Sequence, residues 1–180
     1  MIKRWFPVVV CISLLAIPSF AQARDPLQKE AVRLFGRLPA APPADTAEVR
    51  LGRALFWDAS LSANGATSCG SCHAAGAWGS DNVQYSTDAL GNPTSRHSQT
   101  VFNAMLQPTL RWLGDRASGA EQAEGSLTGS LGFPSKDAAV AQMRASGYGP
   151  AFAAAYPWDA DPVTAANFGK AVAAYQATLL

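Results

Sequence analysis

The segment Cys69-Gly70-Ser71-Cys72-His73 places two thiols and an imidazole within five consecutive residues. Two cysteines three positions apart can each form a thioether with a vinyl group of one haem, and the histidine that follows can bind the iron. In c-type cytochromes this histidine is the proximal ligand. The pentapeptide therefore predicts one covalent haem c, attached through Cys69 and Cys72, with His73 as the metal ligand.

The pentapeptide has three possible uses other than haem attachment. A thioredoxin-like redox pair would follow a strand in a β-α-β unit, and no such pattern surrounds residues 55–85. A closed zinc site needs four ligands, and beyond the leader described next the chain adds only His97 to the pentapeptide. A disulfide between the two cysteines stays open as an alternative, although it would give His73 no role.

The first 23 residues have the pattern of a secretory signal peptide. Lys3 and Arg4 precede a mostly apolar run from Trp5 to Phe20, and Ala21-Gln22-Ala23 has the small-x-small pattern of a cleavage site. The run is shorter than the roughly 20 residues that a spanning helix needs. We therefore expect export to the periplasm, loss of Cys11 with the signal, and no membrane span after cleavage.

The charge of the chain gives no sign of nucleic-acid binding. Of its 180 residues, 14 are Lys or Arg and 13 are Asp or Glu. Removal of Lys3 and Arg4 would leave 12 basic against 13 acidic residues. No basic run stands out, which argues against a nucleic-acid partner.

Apolar periodicity and turn residues predict a helical chain with long loops. Helices are expected over residues 25–38, from a cap at Asp45 or Thr46 to about Trp57, over a short segment capped by Ser68, over 99–106, over 120–124, over 136–145 with Ser135 as the cap, and from near Thr164 onwards. Residues 74–95 lack apolar periodicity and predict a long loop over the haem. The expected fold class is all-α, a cytochrome c-like haem domain with long loops.

Further segments follow one another in a characteristic order. They are Leu51-Gly52-Arg53-Ala54-Leu55-Phe56-Trp57-Asp58, Leu61-Ser62, Ser68 with the pentapeptide, Arg96 with Thr100-Val101-Phe102-Asn103, Trp112 with Gly114 and Arg116, Glu121-Gln122-Ala123, and Ala173-Ala174-Tyr175-Gln176-Ala177-Thr178-Leu179. In this order they resemble the N-terminal haem domain of bacterial di-haem cytochrome c peroxidases, a family that includes the MauG-like enzymes. The resemblance covers about residues 45–180 and leaves residues 24–44 as an N-terminal extension.

The resemblance implies a periplasmic enzyme that reduces hydrogen peroxide to water. In this family a small cytochrome or cupredoxin gives electrons to a haem in a C-terminal domain. A tryptophan between the domains lies on the route to the N-terminal haem, where peroxide is cleaved. Trp112 matches that tryptophan, with a buried core aromatic as the alternative. Arg53 and Arg96 are candidates for contacts with haem propionates, because a guanidinium suits carboxylates; ordinary salt bridges are the alternative.

The chain departs from the family pattern in four places. No second haem domain follows before Leu180, residues 79–95 hold no histidine where the family has its distal histidine, and residues 129–136 hold no carboxylate where the family has its acid–base glutamate. Loss of such a group slows catalysis by roughly 10²–10⁴-fold. The family's Arg-Asn pair is Arg96-His97 here, and because that asparagine helps to hold an interdomain calcium, calcium is doubtful.

Because of these departures, the family resemblance does not identify the sixth ligand of the iron. His97, Met105 and Met143 are the candidate ligands. We favour a surface or second-shell position for His97 and core packing for both methionines.

Two functions are consistent with these residues. One is the peroxide-reducing N-terminal half of a di-haem peroxidase, which takes electrons from a small periplasmic redox protein and acts with a C-terminal haem domain. The other is a single-haem electron-transfer module, or a truncated copy, without peroxidase activity.

Overall fold

The structure, a computed structural model, describes residues 26–180, so the predicted signal peptide lies outside the described residues. Seven α-helices and two short 3-10 helices occur in this part of the chain. The α-helices are α1 (Pro26–Phe35), α2 (Ala47–Trp57), α3 (Cys69–Cys72), α4 (Gly119–Ser126), α5 (Lys136–Ala145), α6 (Gly149–Ala155) and α7 (Ala165–Gln176), and the 3-10 helices are Ala75–Ala77 and Ala104–Leu106.

The predicted all-α class is confirmed. Between residues 26 and 180 the backbone forms no strand, only isolated bridges such as that between Ala74 and Ser80. Within the same range no helix is both long and apolar enough to cross a bilayer.

The chain divides into two units, with the boundary between Leu38 and Pro39. Helix α1 belongs to the first unit and has no buried residue. Its surface carries an ion pair in which the Arg33 guanidinium bonds both carboxylate oxygens of Glu30, at 2.9 and 2.6 Å. The predicted helix over residues 25–38 is confirmed in position but ends three residues earlier, at Phe35.

In the second unit, four helices begin at a side-chain cap. The hydroxyl oxygens of Thr46, Ser118, Ser135 and Thr164 each accept a hydrogen bond from the backbone N–H three residues later, at 3.2, 3.1, 3.1 and 3.1 Å. Such a bond satisfies one of the N–H groups that a helix start leaves without a partner. The predicted caps Thr46 and Ser135 and the predicted start near Thr164 are confirmed.

Helix α7 is the centre of the second unit, because α2 and α4 both pack against it. Glycines allow both contacts. A methyl group at Gly52 would lie 1.8 Å from the carbonyl oxygen of Ala171, and one at Gly169 would lie 2.4 Å from that of Ala120. The core around these crossings includes the fully buried Leu55, Phe56, Leu127, Met143, Phe152, Phe168 and Val172.

One predicted helix is wrong, and the structure contains one helix that the sequence did not indicate. The helix expected over residues 99–106 is reduced to the 3-10 helix at its end. Asn103 has a φ of +58°, and the N–H of Val101 bonds the carbonyl of Gly79 at 3.2 Å instead of a helical partner. Helix α6 was not predicted. It begins Gly-Pro without a side-chain cap, and Phe152 is its one buried residue.

Candidate haem site

The two thiols are placed by the short helix α3. Ser68 precedes this helix as predicted, and its N–H donates to the hydroxyl of Ser71 at 3.0 Å. Cys69 and Cys72 begin and end the helix and are not joined in a disulfide. Burial raises the pKa of Cys69 to about 12 and also raises that of Cys72, so both thiols are neutral at neutral pH.

His73 follows the helix with its ring held by a backbone carbonyl. Its Nδ1 lies 3.1 Å from the carbonyl oxygen of Gly79. Burial lowers the pKa of His73. Hydrogen bonds to the backbone of Gly79 and Gln99 and the nearby Asp81 carboxylate oppose this shift without reversing it, so the neutral imidazole is favoured. If Nδ1 carries the proton and donates to Gly79, Nε2 keeps a free lone pair. That is the usual arrangement of a metal-ligating histidine.

Gly79 joins the histidine to the segment that follows the long loop. Its carbonyl oxygen accepts from both His73 and the N–H of Val101. Its φ is +74°, a left-handed backbone conformation that favours glycine. A methyl group there would also lie 3.0 Å from Oγ1 of Thr100. The Gly79 carbonyl therefore ties the long loop over residues 74–95 to His73 and to the segment around Val101.

Five of the six predicted site residues line one cavity of about 310 Å³. They are Cys69, Cys72, His73, Arg96 and Trp112. The volume lies at the lower end of the usual range for cofactor pockets. The sixth residue, Arg53, is exposed on α2 and does not line the cavity. The structure thus does not bring Arg53 to the other five.

Trp112 lies on the rim of this cavity and not in the core. Its side chain is 54% exposed, and its Nε1 donates to the backbone carbonyl of His97 at 2.8 Å. The alternative of a buried core aromatic is therefore wrong. Arg96 is also exposed where it borders the cavity.

The three candidates for a sixth iron ligand lie in different surroundings. Both ring nitrogens of His97 lie near protein groups, with Nδ1 2.8 Å from the Val83 carbonyl and Nε2 3.3 Å from the Ser80 hydroxyl. Met143 is fully buried in the core, as predicted. Met105 is half-buried and lines the cavity, so the expectation of core packing for Met105 is wrong.

Sequence reasoning missed the polar groups on the cavity wall. Asp115 supplies the carboxylate that the described residues bring to this wall, and its Oδ2 lies 3.0 Å from Arg111 and 3.4 Å from Arg116. Gln122 also lines the cavity. Both lie within segments that carry the family resemblance, which identified the segments but not the side chains that face the cavity.

The lining of the cavity fits a haem c. Two thiols and an imidazole are the donors that this cofactor needs. Apolar side chains cover part of the wall, and cationic ones stand at the rim. The apolar group is Val101, Ala104, Leu110, Ala123, Leu131 and Val172, and the cationic group is Arg96 and Arg111.

No group of three or more His, Cys, Asp or Glu residues that could hold a metal ion occurs among the described residues. Both ring nitrogens of His97 lie near protein groups, as above.

Residues 46–180 match the sequence model of a family described as Di-haem cytochrome c peroxidase. The Cytochrome c551 peroxidase of Pseudomonas aeruginosa is 35% identical over 168 residues, which cover 89% of this chain and 48% of that protein. The Methylamine utilization protein MauG of Methylorubrum extorquens is 31% identical over 144 residues, which cover 79% of this chain and 40% of that protein. The chain thus spans half or less of the length of these relatives.

Solved structures agree with the sequence relatives. The crystal structure of a MauG-like protein associated with microbial copper homeostasis aligns with a TM-score of 0.68 and 29% identity, over 79% of this chain and 44% of that one. The diheme peroxidase BthA from Burkholderia thailandensis aligns with a TM-score of 0.67 over 77% of this chain and 40% of that one. Its identity of 21% makes this a likeness of fold alone.

Proposed function

We propose, because the chain belongs to the di-haem cytochrome c peroxidase family, that residues 45–180 form a domain that holds one haem c. Cys69 and Cys72 would form the two thioethers, and Nε2 of His73 would bind the iron. The observation that carries this proposal is the position of His73. Its Nδ1 lies 3.1 Å from the Gly79 carbonyl, on the wall of the cavity that both thiols also line.

Side chains around the cavity have separate tasks in this proposal. When bound, the haem supplies an iron that exchanges single electrons and offers a site for peroxide. Val101, Leu131 and Val172 would shield its apolar faces from water. Arg96 at the rim would pair with a propionate, because a guanidinium can bond both oxygens of a carboxylate. Arg53 has no part in this arrangement.

The function that we propose is the reduction of hydrogen peroxide, with electrons from a small periplasmic cytochrome or cupredoxin. The whole reaction would involve a C-terminal haem domain of the kind that completes this family. Trp112, exposed at the cavity rim, would lie on the electron route between the two domains. Export through the predicted signal peptide would place the protein in the periplasm.

We expect the 180-residue chain by itself to turn over peroxide slowly. Cleavage of the O–O bond needs a group that takes a proton from one oxygen and gives it to the other. Residues 129–136 hold no carboxylate, and Asp115 on the cavity wall is engaged by Arg111 and Arg116. A single-haem electron-transfer module is the second candidate function, and this lack of a free acid–base group favours it.

Optical spectroscopy of the haem-loaded protein tests the proposal. Ferric protein is mixed with hydrogen peroxide, first without a donor and then with a reduced small cytochrome. We expect a peroxide-dependent change of the Soret band and slow oxidation of the donor. Fast turnover by the wild type would contradict our reasoning on proton transfer, and its loss in Asp115→Asn would identify Asp115 as an acid–base group despite its two arginine partners.

The same experiment separates the two candidate functions. A haem that accepts an electron from the reduced cytochrome but shows no spectral response to peroxide would refute peroxide reduction and support the electron-transfer module. Glu121→Gln, on α4 but outside the cavity lining, is the matched control for Asp115→Asn. We expect this control variant to behave as the wild type.

A further inference from the structure

An exposed aromatic side chain touches the helix that carries both thiols. Trp57, the last residue of α2, is 43% exposed. Its six-membered ring lies against Gly70, where an added methyl group would be 2.3 Å from Cε3 and 2.4 Å from Cζ3. Gly70 directly follows Cys69. The indole is therefore in contact with backbone that is bonded to a haem-attachment residue.

Two other aromatic residues fix the orientation of this indole. Nε1 of Trp57 donates to the hydroxyl oxygen of Tyr175 on α7 at 3.0 Å. The ring of Phe56, which is 1% exposed, meets both side chains edge-on, with centroid distances of 5.2 Å to Trp57 and 5.3 Å to Tyr175. Edge-to-face packing and a satisfied N–H hold an aromatic side chain in one place.

We propose that Trp57 and Tyr175 form a redox relay between the haem and the protein surface. Indole and phenol are the aromatic side chains that most readily lose one electron, and here they are hydrogen-bonded to each other. The path from Trp57 to the iron runs through the contact with Gly70, the peptide bond to Cys69 and the thioether of Cys69. The relay rests on the haem attachment proposed above. It would protect the haem when peroxide arrives and no protein donor is bound.

The electrons of this reaction balance. One hydrogen peroxide takes two electrons and two protons and becomes two waters. One electron comes from the Trp57 indole, whose N–H stays bonded to the Tyr175 oxygen. The second electron and a proton come from the Tyr175 hydroxyl, and the other proton comes from solvent. If the indole instead loses both electrons, addition of water leaves one oxygen atom on its ring and releases two protons.

Peptide mass spectrometry after exposure to peroxide tests the relay. Haem-loaded protein is treated with peroxide in the absence of a donor, and the oxygen added to each tryptophan is measured. Trp158 is the internal control, because it is 95% exposed and lies in the turn after α6. We expect several-fold more oxygen on Trp57 than on Trp158, although Trp57 is less exposed. Addition of reduced donor should abolish the difference.

The rate of haem bleaching by peroxide gives a second readout. Trp57→Phe keeps an aromatic ring beside Gly70 but removes the readily oxidised indole, so we expect bleaching to be several-fold faster than in the wild type. Trp158→Phe, the matched control, should bleach at the wild-type rate. Measurements on the wild-type chain suffice for the mass-spectrometric comparison if Trp57→Phe does not fold.

The outcomes distinguish this inference from the proposed function. The Soret band could respond to peroxide while Trp158, the more exposed tryptophan, gains more oxygen than Trp57. That result would overturn the relay and leave the proposed function standing. Equal bleaching rates for Trp57→Phe and Trp158→Phe would overturn it as well. A chain without attached haem, or a haem that does not respond to peroxide, would refute both proposals.

Discussion

The substitution Gly52→Ala examines how α2 and α7 are packed. The added methyl carbon would lie 1.8 Å from the carbonyl oxygen of Ala171. Ordinary contacts between carbon and oxygen are no shorter than about 3.3 Å, so the two helices would have to move apart by roughly 1.5 Å. A backbone carbonyl inside α7 cannot rotate out of the way, because it belongs to the helix.

The cost of this movement can be estimated. Overpacking of a core costs about 1–3 kcal/mol and occasionally more, and a clash with backbone belongs at the upper end. Alanine is favoured over glycine in a helix by about 1 kcal/mol. We therefore expect Gly52→Ala to reduce the free energy of unfolding by about 2–3 kcal/mol. The haem cavity should also be disturbed, because Val172 and Gln176 on α7 line it.

Denaturant unfolding of the haem-loaded protein, followed by circular dichroism, measures this loss. Gly76→Ala is the matched control, since no atom lies within 4 Å of a methyl group added there and its φ is not positive. The control should change stability by less than about 0.5 kcal/mol. A loss for Gly52→Ala as small as that of the control would refute the close packing of α2 on α7.

Three further substitutions test other contacts. Gly70→Ala should lower the free energy of unfolding by about 1–2 kcal/mol through overlap with Trp57, and denaturant unfolding in a Trp57→Leu background should show no such loss. Ser135→Ala removes the cap of α5 and should cost about 1 kcal/mol in the same assay; no loss would show that the cap is dispensable. Tyr148→Phe removes a hydrogen bond of 2.8 Å to the Asp58 carboxylate and should cost about 1–2 kcal/mol at neutral pH. Burial alone would raise the pKa of Asp58, but its hydrogen bonds lower the pKa below the ordinary value, so this stabilisation is present above about pH 4 and is lost as the pH falls further. An equal cost of Tyr148→Phe at neutral and at acid pH would contradict this assignment.

The parts of the fold that sequence predicts well are those set by local bonds. Thr46 and Ser135 cap their helices through hydrogen bonds that span three residues, and a short pattern is enough to find them. The pentapeptide predicted α3 in the same way, since Ser68 and Ser71 are bonded within one turn. Local chemistry decides these elements, so tertiary packing does not change them.

The parts that sequence predicts poorly are set by contacts between distant residues. The segment after Gln99 has a helical pattern, but the N–H of Val101 bonds Gly79 and the hydroxyl of Thr100 bonds the Trp78 carbonyl. Both partners lie about 20 residues away, so no local window contains them. Helix α6 lacks a local signal of another kind: proline is tolerated in its first turn, but it has no side-chain cap, and Phe152 is its one buried residue.

The candidate site also combines features that local sequence predicts with features that depend on contacts between distant residues. Cys69, Cys72 and His73 can be proposed as haem donors from the sequence because all three lie within five residues. The hydrogen bond from His73 to Gly79 and the position of Asp115 on the cavity wall depend on how the long loop returns. Arg53 belongs to a segment with a strong family resemblance, but the turn of α2 directs it away from the cavity.

The mass of the intact exported protein tests the central claim most directly. We expect the mass of the processed polypeptide plus one haem, with the haem on the peptide that contains Cys69 and Cys72 and with neither thiol free for alkylation. A bare polypeptide mass, with both thiols open to alkylation or joined to each other, would contradict it.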